Sequence, residues 1–227
     1  MKKRFYTEAA YLAGIIILAL GTAFMERADF GMSMVVAPAY LIYLKISQVL
    51  PWFTFGMAEY CFQAVLLVLT TLVLGRFKAM YLFSFVTAVL YGVTLDIMMK
   101  LVGLLPLPGI GGRVFFFAAG MVLGAIGVAF FFHTYIAPEA YELFVKEVAG
   151  KYHLEISRVK TVYDCCSCLI AVIMSFIFFG LWHFEGVKAG TFLCALLNGA
   201  LIGRCSHFME KHFNFSDGLK LRKYFEN

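Results

Sequence analysis

Ala37-Pro38-Ala39-Tyr40-Leu41-Ile42-Tyr43-Leu44-Lys45 is answered about one hundred residues later by Ala137-Pro138-Glu139-Ala140-Tyr141-Glu142-Leu143-Phe144-Val145-Lys146. The surroundings of the two stretches also match. An acidic residue interrupts the next apolar run at Glu59 and at Asp164, and a glycine follows each by 16 residues, at Gly75 and Gly180. Tyr91-Gly92 and Asn198-Gly199 occupy the apolar run after that. A chain that repeats itself in this way is expected to contain two related units. If each unit crosses a membrane an odd number of times, the units are inverted relative to each other, an arrangement common among transporters.

Composition sets the environment. Apolar residues make up 62% of the 227 residues and charged residues 15%, against roughly 45–50% and 25% in soluble domains. Mean hydropathy is +0.85. These values exclude a soluble globular domain, and the partner they imply is the lipid bilayer. The net charge of +5 does not point to nucleic acid, because Lys and Arg gather at the ends of apolar runs and not along one face. Lys2-Lys3-Arg4 has the character of a signal-peptide start, but the run that follows is too long and lacks an A-x-A site, so it is expected to stay as an anchor.

A helix needs roughly 20 apolar residues to cross a bilayer. Six segments qualify, at about 8–25, 56–75, 79–101, 113–133, 157–181 and 189–208. Leu105-Pro106-Leu107-Pro108-Gly109, with Gly111-Gly112, separates the third from the fourth. The expected units are therefore a first repeat over 1–105, a second, inverted repeat over 106–208 and a tail over 209–227. Residues 30–50 and 134–152 are too short or too polar to span and read as interfacial or re-entrant helices, each with its Pro in the first turn. A short, tilted seventh span is the alternative for 30–50. Residues 134–152 place Ala137, Tyr141, Phe144, Val145 and Val148 on one face and Glu139, Glu142, Lys146 and Glu147 on the other. With six spans and the N-terminus inside, 14 of the 19 Lys and Arg fall on the inner side and 5 on the outer. This count places both termini in the cytoplasm. The fold class is thus all-α and polytopic, with six spans in two inverted three-helix repeats, each carrying a short helix after its first span.

Ionisable groups inside spans are costly unless paired or hydrated. Glu59, with Gln63 one turn on, and Asp164 are equivalent under the repeat. Asp96 shares a helical face with Lys100, and Arg204 is near enough in depth to reach Asp164. Asn198 adds a polar group in the last span. These seven residues form the expected substrate or ion path, with packing ion pairs as the plain alternative. Gly120, Gly124 and Gly127 form a stripe that reads as a close-packing face, and Arg27 with Asp29 reads as a turn cap. Cys165 and Cys168 beside Asp164, with His207 close in depth, have redox spacing. A packing role weighs more, since any helix brings positions i and i+3 together. No H-E-x-x-H, G-x-S-x-G or Walker A pattern occurs, and no catalytic residue, metal site or cofactor is assigned.

The pattern resembles the YczE/YyaS/YitT-like bacterial integral membrane proteins. The likeness rests on Gly21, on Phe30-Gly31-Met32-Ser33 followed by Pro38, on Phe55-Gly56, and on Tyr91-Gly92 to Asp96. In the second half it rests on Ala137-Pro138-Glu139, Asp164, and Gly186 to Gly190-Thr191 followed by Gly199. The run from Glu185 to Thr191 is more polar than the glycine-rich turn expected there. The resemblance implies a multi-pass protein of the bacterial cytoplasmic membrane and supplies no activity. The function expected is that of a non-enzymatic small secondary transporter or exporter of an unknown molecule or ion, possible as a homodimer. A membrane scaffold, or a thiol or metal oxidoreductase using Asp164, Cys165 and Cys168, is the alternative.

Overall fold

A computed structural model describes residues 3–106, 109–181, 185–219 and 222. Lys2, Leu107, Pro108, Lys220 and Lys223, which enter the reading of the break and the charge count, lie outside them. The described chain forms eight helices and two short strands: β1 (Lys3–Tyr6), α1 (Thr7–Ala28), α2 (Ala37–Ile46), α3 (Phe55–Leu74), α4 (Met80–Gly103), α5 (Ile110–Phe132), α6 (Ala140–Tyr152), α7 (Ile156–Phe179), α8 (Ala189–His212) and β2 (Phe213–Ser216). Six of the helices are long and apolar enough to cross a membrane. Their outer faces carry exposed Val65, Val68 and Leu72 on α3 and Leu196 on α8, the surface that hydrocarbon requires. Together these features describe a multi-pass helical membrane protein.

The remaining two helices are short. With ten residues, α2 is about 15 Å long at 1.5 Å per residue, half a bilayer core, so a seventh span is ruled out. Pro38 lies in its first turn, where a missing N–H leaves no hydrogen bond unmade. Pro138 instead precedes α6, whose N-cap is Glu139. Gly111 and Gly112 likewise fall inside the first turn of α5 and not in a loop. The expected two-faced α6 also needs correction. Its acidic side is covered by protein, with Glu139 at 2% exposure and the Glu142 side chain at 9%. These two glutamates are covered because α6 packs on α3, α4 and α7, while Lys146 on the same side stays exposed.

Small residues set the helix spacing. α1 lies along α5, and a Cβ at Gly21 would come within 2.7 Å of the Gly124 nitrogen and 2.8 Å of the Gly120 oxygen. The glycine stripe of α5 is thus the face on which α1 packs. α3 and α4 approach through Gly56 and Gly92, each backbone against the other. Hydroxyls tie α1 to α4, with Tyr11 Oη 2.8 Å from Thr87 Oγ1 and Thr22 Oγ1 2.9 Å from Tyr91 Oη. α5 packs on α8 through Ala125, Val128 and Ile202.

Both short helices lie against α3 and α7, one long helix from each half of the chain, and α6 also touches α4. The loop leading into α2 is docked on the one before α8. Met32 N–H donates to Gly186 O at 3.0 Å and Gly190 N–H to Phe30 O at 2.8 Å. Gly31 has φ 103°, and a Cβ there would meet Thr191 Oγ1 at 2.5 Å. The polar run from Glu185 to Thr191 therefore serves as a docking edge. Asp29 closes α1 in the left-handed region and pairs with both Arg113 and Lys188.

At the other face, β1 and β2 pair in parallel from Lys3↔Phe213 to Tyr6↔Ser216. Glu8 then accepts from the backbone N–H groups of Gly218 and Leu219. The described part of the tail is thus clamped to the start of α1, and residues 3–8 and 213–219 lie on one face, here called the terminal face.

Candidate functional site: a carboxylate-lined cavity

The start of α6 is the origin of the site. Glu139 stands at the N-cap, and Tyr141 and Glu142 occupy the first turn, where free N–H groups and the helix dipole favour negative charge. Gln63 of α3 holds this end in place. Its carbonyl Oε1 accepts from Ala140 N–H at 3.0 Å, and its Nε2 donates to Glu139 Oε2 and to Glu59 Oε2, both at 3.3 Å. Tyr141 Oη donates to the same Glu59 oxygen at 2.9 Å. Glu59 and Gln63 are both fully buried. Two glutamates from different helices are thus bridged by one amide. Each keeps a second oxygen, Glu59 Oε1 and Glu139 Oε1, that is buried and without a hydrogen-bond partner among the described residues.

On α7, Lys160 Nζ lies 3.1 Å from Asp164 Oδ1 and 3.6 Å from Glu142 Oε1. One ammonium is therefore shared by Glu142 and Asp164, with Glu139 within its electrostatic reach. Burial, with Glu142 and then Glu59 nearby, pushes the Glu139 carboxyl well above the usual carboxylate range. Burial and the Glu59 carboxyl likewise raise the Tyr141 phenol, which keeps its proton as a donor.

A cavity of about 60 Å³ lies beside this array. Its polar lining is Ser33, Glu139, Tyr141, Glu142, Lys160 and Asn198, and its apolar lining comes from α1, α5 and α8. One water needs about 10–15 Å³ measured in this way, so the volume suits a few waters or a small ion. Val35 and Val36, just before α2, also line it. The beginnings of both short helices therefore meet at one internal space. A larger hollow of about 610 Å³ adjoins on the side of the terminal face, lined by Tyr135, Pro138, Glu147 and Arg222. Glu142 and Lys160 line both spaces. The ion pair between them borders both.

Of the seven residues expected from the sequence, the structure brings together Glu59 and Gln63 and places Asn198 on the cavity wall. Asp164 sits one turn beyond, on Lys160. It does not pair with Arg204, which is exposed beside His207, Lys211 and His212. The i,i+4 partner on its own helix is nearer than anything on α8. Asp96 takes a different job: it accepts from Thr54 Oγ1 at 2.6 Å and from Gly56 N–H at 2.9 Å, capping the start of α3. Lys100 is exposed near the end of α4. All six cysteines are free, and Cys165 and Cys166 are exposed. Among the described residues no three His, Cys, Asp or Glu side chains are grouped to hold a metal ion.

Sequence reasoning missed Glu139, Glu142, Tyr141 and Lys160 as site residues. The signal was in the repeat itself. The second copy carries a glutamate after its proline and another after its tyrosine, where the first copy has only apolar residues.

Fold and site together define a polytopic helical membrane protein with a buried, carboxylate-rich cavity between its helices. The chain belongs to a family of unknown function, DUF6198, whose model matches residues 5–207. No curated protein and no solved structure matches it.

Proposed function

We propose that this protein is a small secondary transporter of the bacterial cytoplasmic membrane, with both termini cytoplasmic and its path between two inverted repeats. The observation that carries the reading is the pair of adjoining spaces. A cavity lined by Glu139 and Glu142 and a hollow toward the terminal face share one ion pair, Glu142–Lys160, in their walls. Buried ionisable groups that face an internal cavity are typical of substrate and ion pathways.

The inverted arrangement draws support from paired contacts. α2 rests on α7 while α6 rests on α3. Lys45, near the end of α2, donates to Phe178 O at the end of α7. Lys151, near the end of α6, donates to Val73 O and Leu74 O at the end of α3. An in-plane twofold axis exchanging the two halves would relate these contacts. Alternating access would then consist of the two halves rocking about the α1–α5 contact, with the Glu142–Lys160 pair as the gate toward the terminal face. A homodimer belongs to the same proposal, because α7 and α8 bury the least of their surface within the chain among the six long helices.

A ligand-stabilisation screen on the purified protein tests this. A ligand present at about 100 times its Kd raises stability by about 2.7 kcal/mol. The expected result is a small ion or polar metabolite that stabilises the wild type, fails to stabilise N198A, and enters proteoliposomes. If no ligand does so, and E59Q and E139Q only lower the melting temperature, the buried charges serve packing and the protein is a scaffold. The thiol reading has less support, since Cys165 and Cys166 are exposed while Asp164 is buried against Lys160.

A further inference from the structure

Glu139 and Glu59 pose a chemical problem. Both are buried, and both direct one oxygen to the single Nε2 of Gln63. Their other oxygens have no partner among the described residues. Two carboxylates so placed cannot both hold their charge without strong mutual repulsion and a large desolvation cost.

We infer that the Glu59–Gln63–Glu139 array is a proton-loading site, with Glu139 as the group that takes up and releases H⁺ through the central cavity. This inference rests on the transporter reading and names the ion that such a transporter would couple to.

Three observations favour a proton over a metal cation. The cavity has room for only a few waters, so a metal ion there could keep little of its hydration shell. The ammonium of Lys160 lies in the same wall and repels a second cation. The amide of Gln63 presents N–H, not oxygen, to both carboxyls, which suits carboxylate acceptors and not a shared metal.

The charged and titratable surroundings of Glu139 agree with this. α3 presents Glu59, α6 presents Tyr141 and Glu142, and α7 presents Lys160 with Asp164 behind it and Tyr163 alongside. α4 contributes the Tyr91 phenol and α1 the Tyr11 phenol. α8 contributes Cys194 and Asn198, and the α5 residues on the cavity wall carry no ionisable group. Among the described residues it is Lys160 that opposes the negative charge, and it is already engaged by Glu142 and Asp164. Neutralising Glu139 therefore requires a proton, taken from water in the cavity and returned there when the carboxyl ionises. Gln63 moves no proton. It donates its N–H groups to whichever glutamate is charged.

Infrared difference titration of the whole protein in lipid tests the site without needing a substrate. The wild type is expected to show a protonated-carboxyl C=O band that persists above the ordinary glutamate range of about pH 4.3 and disappears as pH rises further. E139Q removes that band, whereas E59Q shifts its midpoint to lower pH because a neighbouring negative charge is gone. Exchanging Na⁺ for K⁺ or choline leaves it unchanged. Absence of the band overturns the inference, as does its loss on adding Na⁺ at fixed pH. Should E139Q fail to fold, Y141F decides: loss of the donor to Glu59 must move the midpoint, and an unmoved midpoint refutes the coupling. The transporter reading fails separately. An intact band without flux leaves the proton site standing and removes transport, while flux insensitive to a pH gradient and without a band does the reverse.

Discussion

Replacing Lys160 with methionine removes the ammonium shared by Glu142 and Asp164 while keeping the length and much of the apolar volume of the side chain. The consequence can be worked from the geometry. At 3.1 Å from Asp164 and 3.6 Å from Glu142, each charge pair contributes about 5 kcal/mol of gross attraction at an effective dielectric of about 20. Most of this is offset by the desolvation of the three groups. The loss on deleting one partner is dominated by the carboxylates left without a counter-charge, about 3–5 kcal/mol. For a chain of this size that lowers the melting temperature by roughly 6–20 °C. Scanning calorimetry or a thiol-reactive melting assay in detergent reads it directly. A double variant, K160M/D164N, deletes the nearer orphaned charge and should regain about 1–3 kcal/mol relative to additivity. K160R keeps the charge and should remain close to wild type in stability. A K160M melting temperature within a degree or two of wild type, or a double variant that is merely additive, would refute the claim that Lys160 balances this cluster.

Three further outcomes follow from the same structure. D96A removes both acceptors at the start of α3 and should cost about 2–3 kcal/mol, seen as a lower melting temperature, while ligand binding per folded molecule stays unchanged because Asp96 caps a helix away from the cavity. Glu139, raised in the fold by burial and by Glu142 and Glu59, retains its proton in the native state at pH values where the unfolded chain has lost it. Stability should therefore fall as pH rises from about 4.3 toward the raised native value, and E139Q should flatten that slope. The paired change C165A/C168A should leave stability within about 0.5–1 kcal/mol and leave ligand binding intact. Loss of activity with retained fold would instead favour thiol chemistry.

How much of this could be read from the sequence depended on whether a feature is local or assembled. The six long helices were legible because each is a continuous apolar run, and the two A-P segments marked the short helices because proline and length act within one stretch of chain. Glu59, Gln63 and Asp164 stood out as polar residues in apolar runs. Glu139 and Glu142 did not. By periodicity they belonged to the wet side of a surface helix, and only the packing of α6 on α3, α4 and α7 covers them. Lys160, near the start of α7, reads in the sequence as one of the 14 inner-side charges, yet in the fold it pairs with Glu142 and Asp164 and borders both cavities. Asp96 shows the opposite error, since a carboxylate inside an apolar run looked like a path residue but is used up by a helix start on the neighbouring α3. The difference between Asp96 and Glu139 is hydrogen-bond satisfaction. Asp96 has a donor on each oxygen, whereas Glu139 keeps one oxygen buried and unpartnered among the described residues. Sequence spacing does not encode that distinction, and it is what makes Glu139, and not Asp96, the residue on which the proposed chemistry turns.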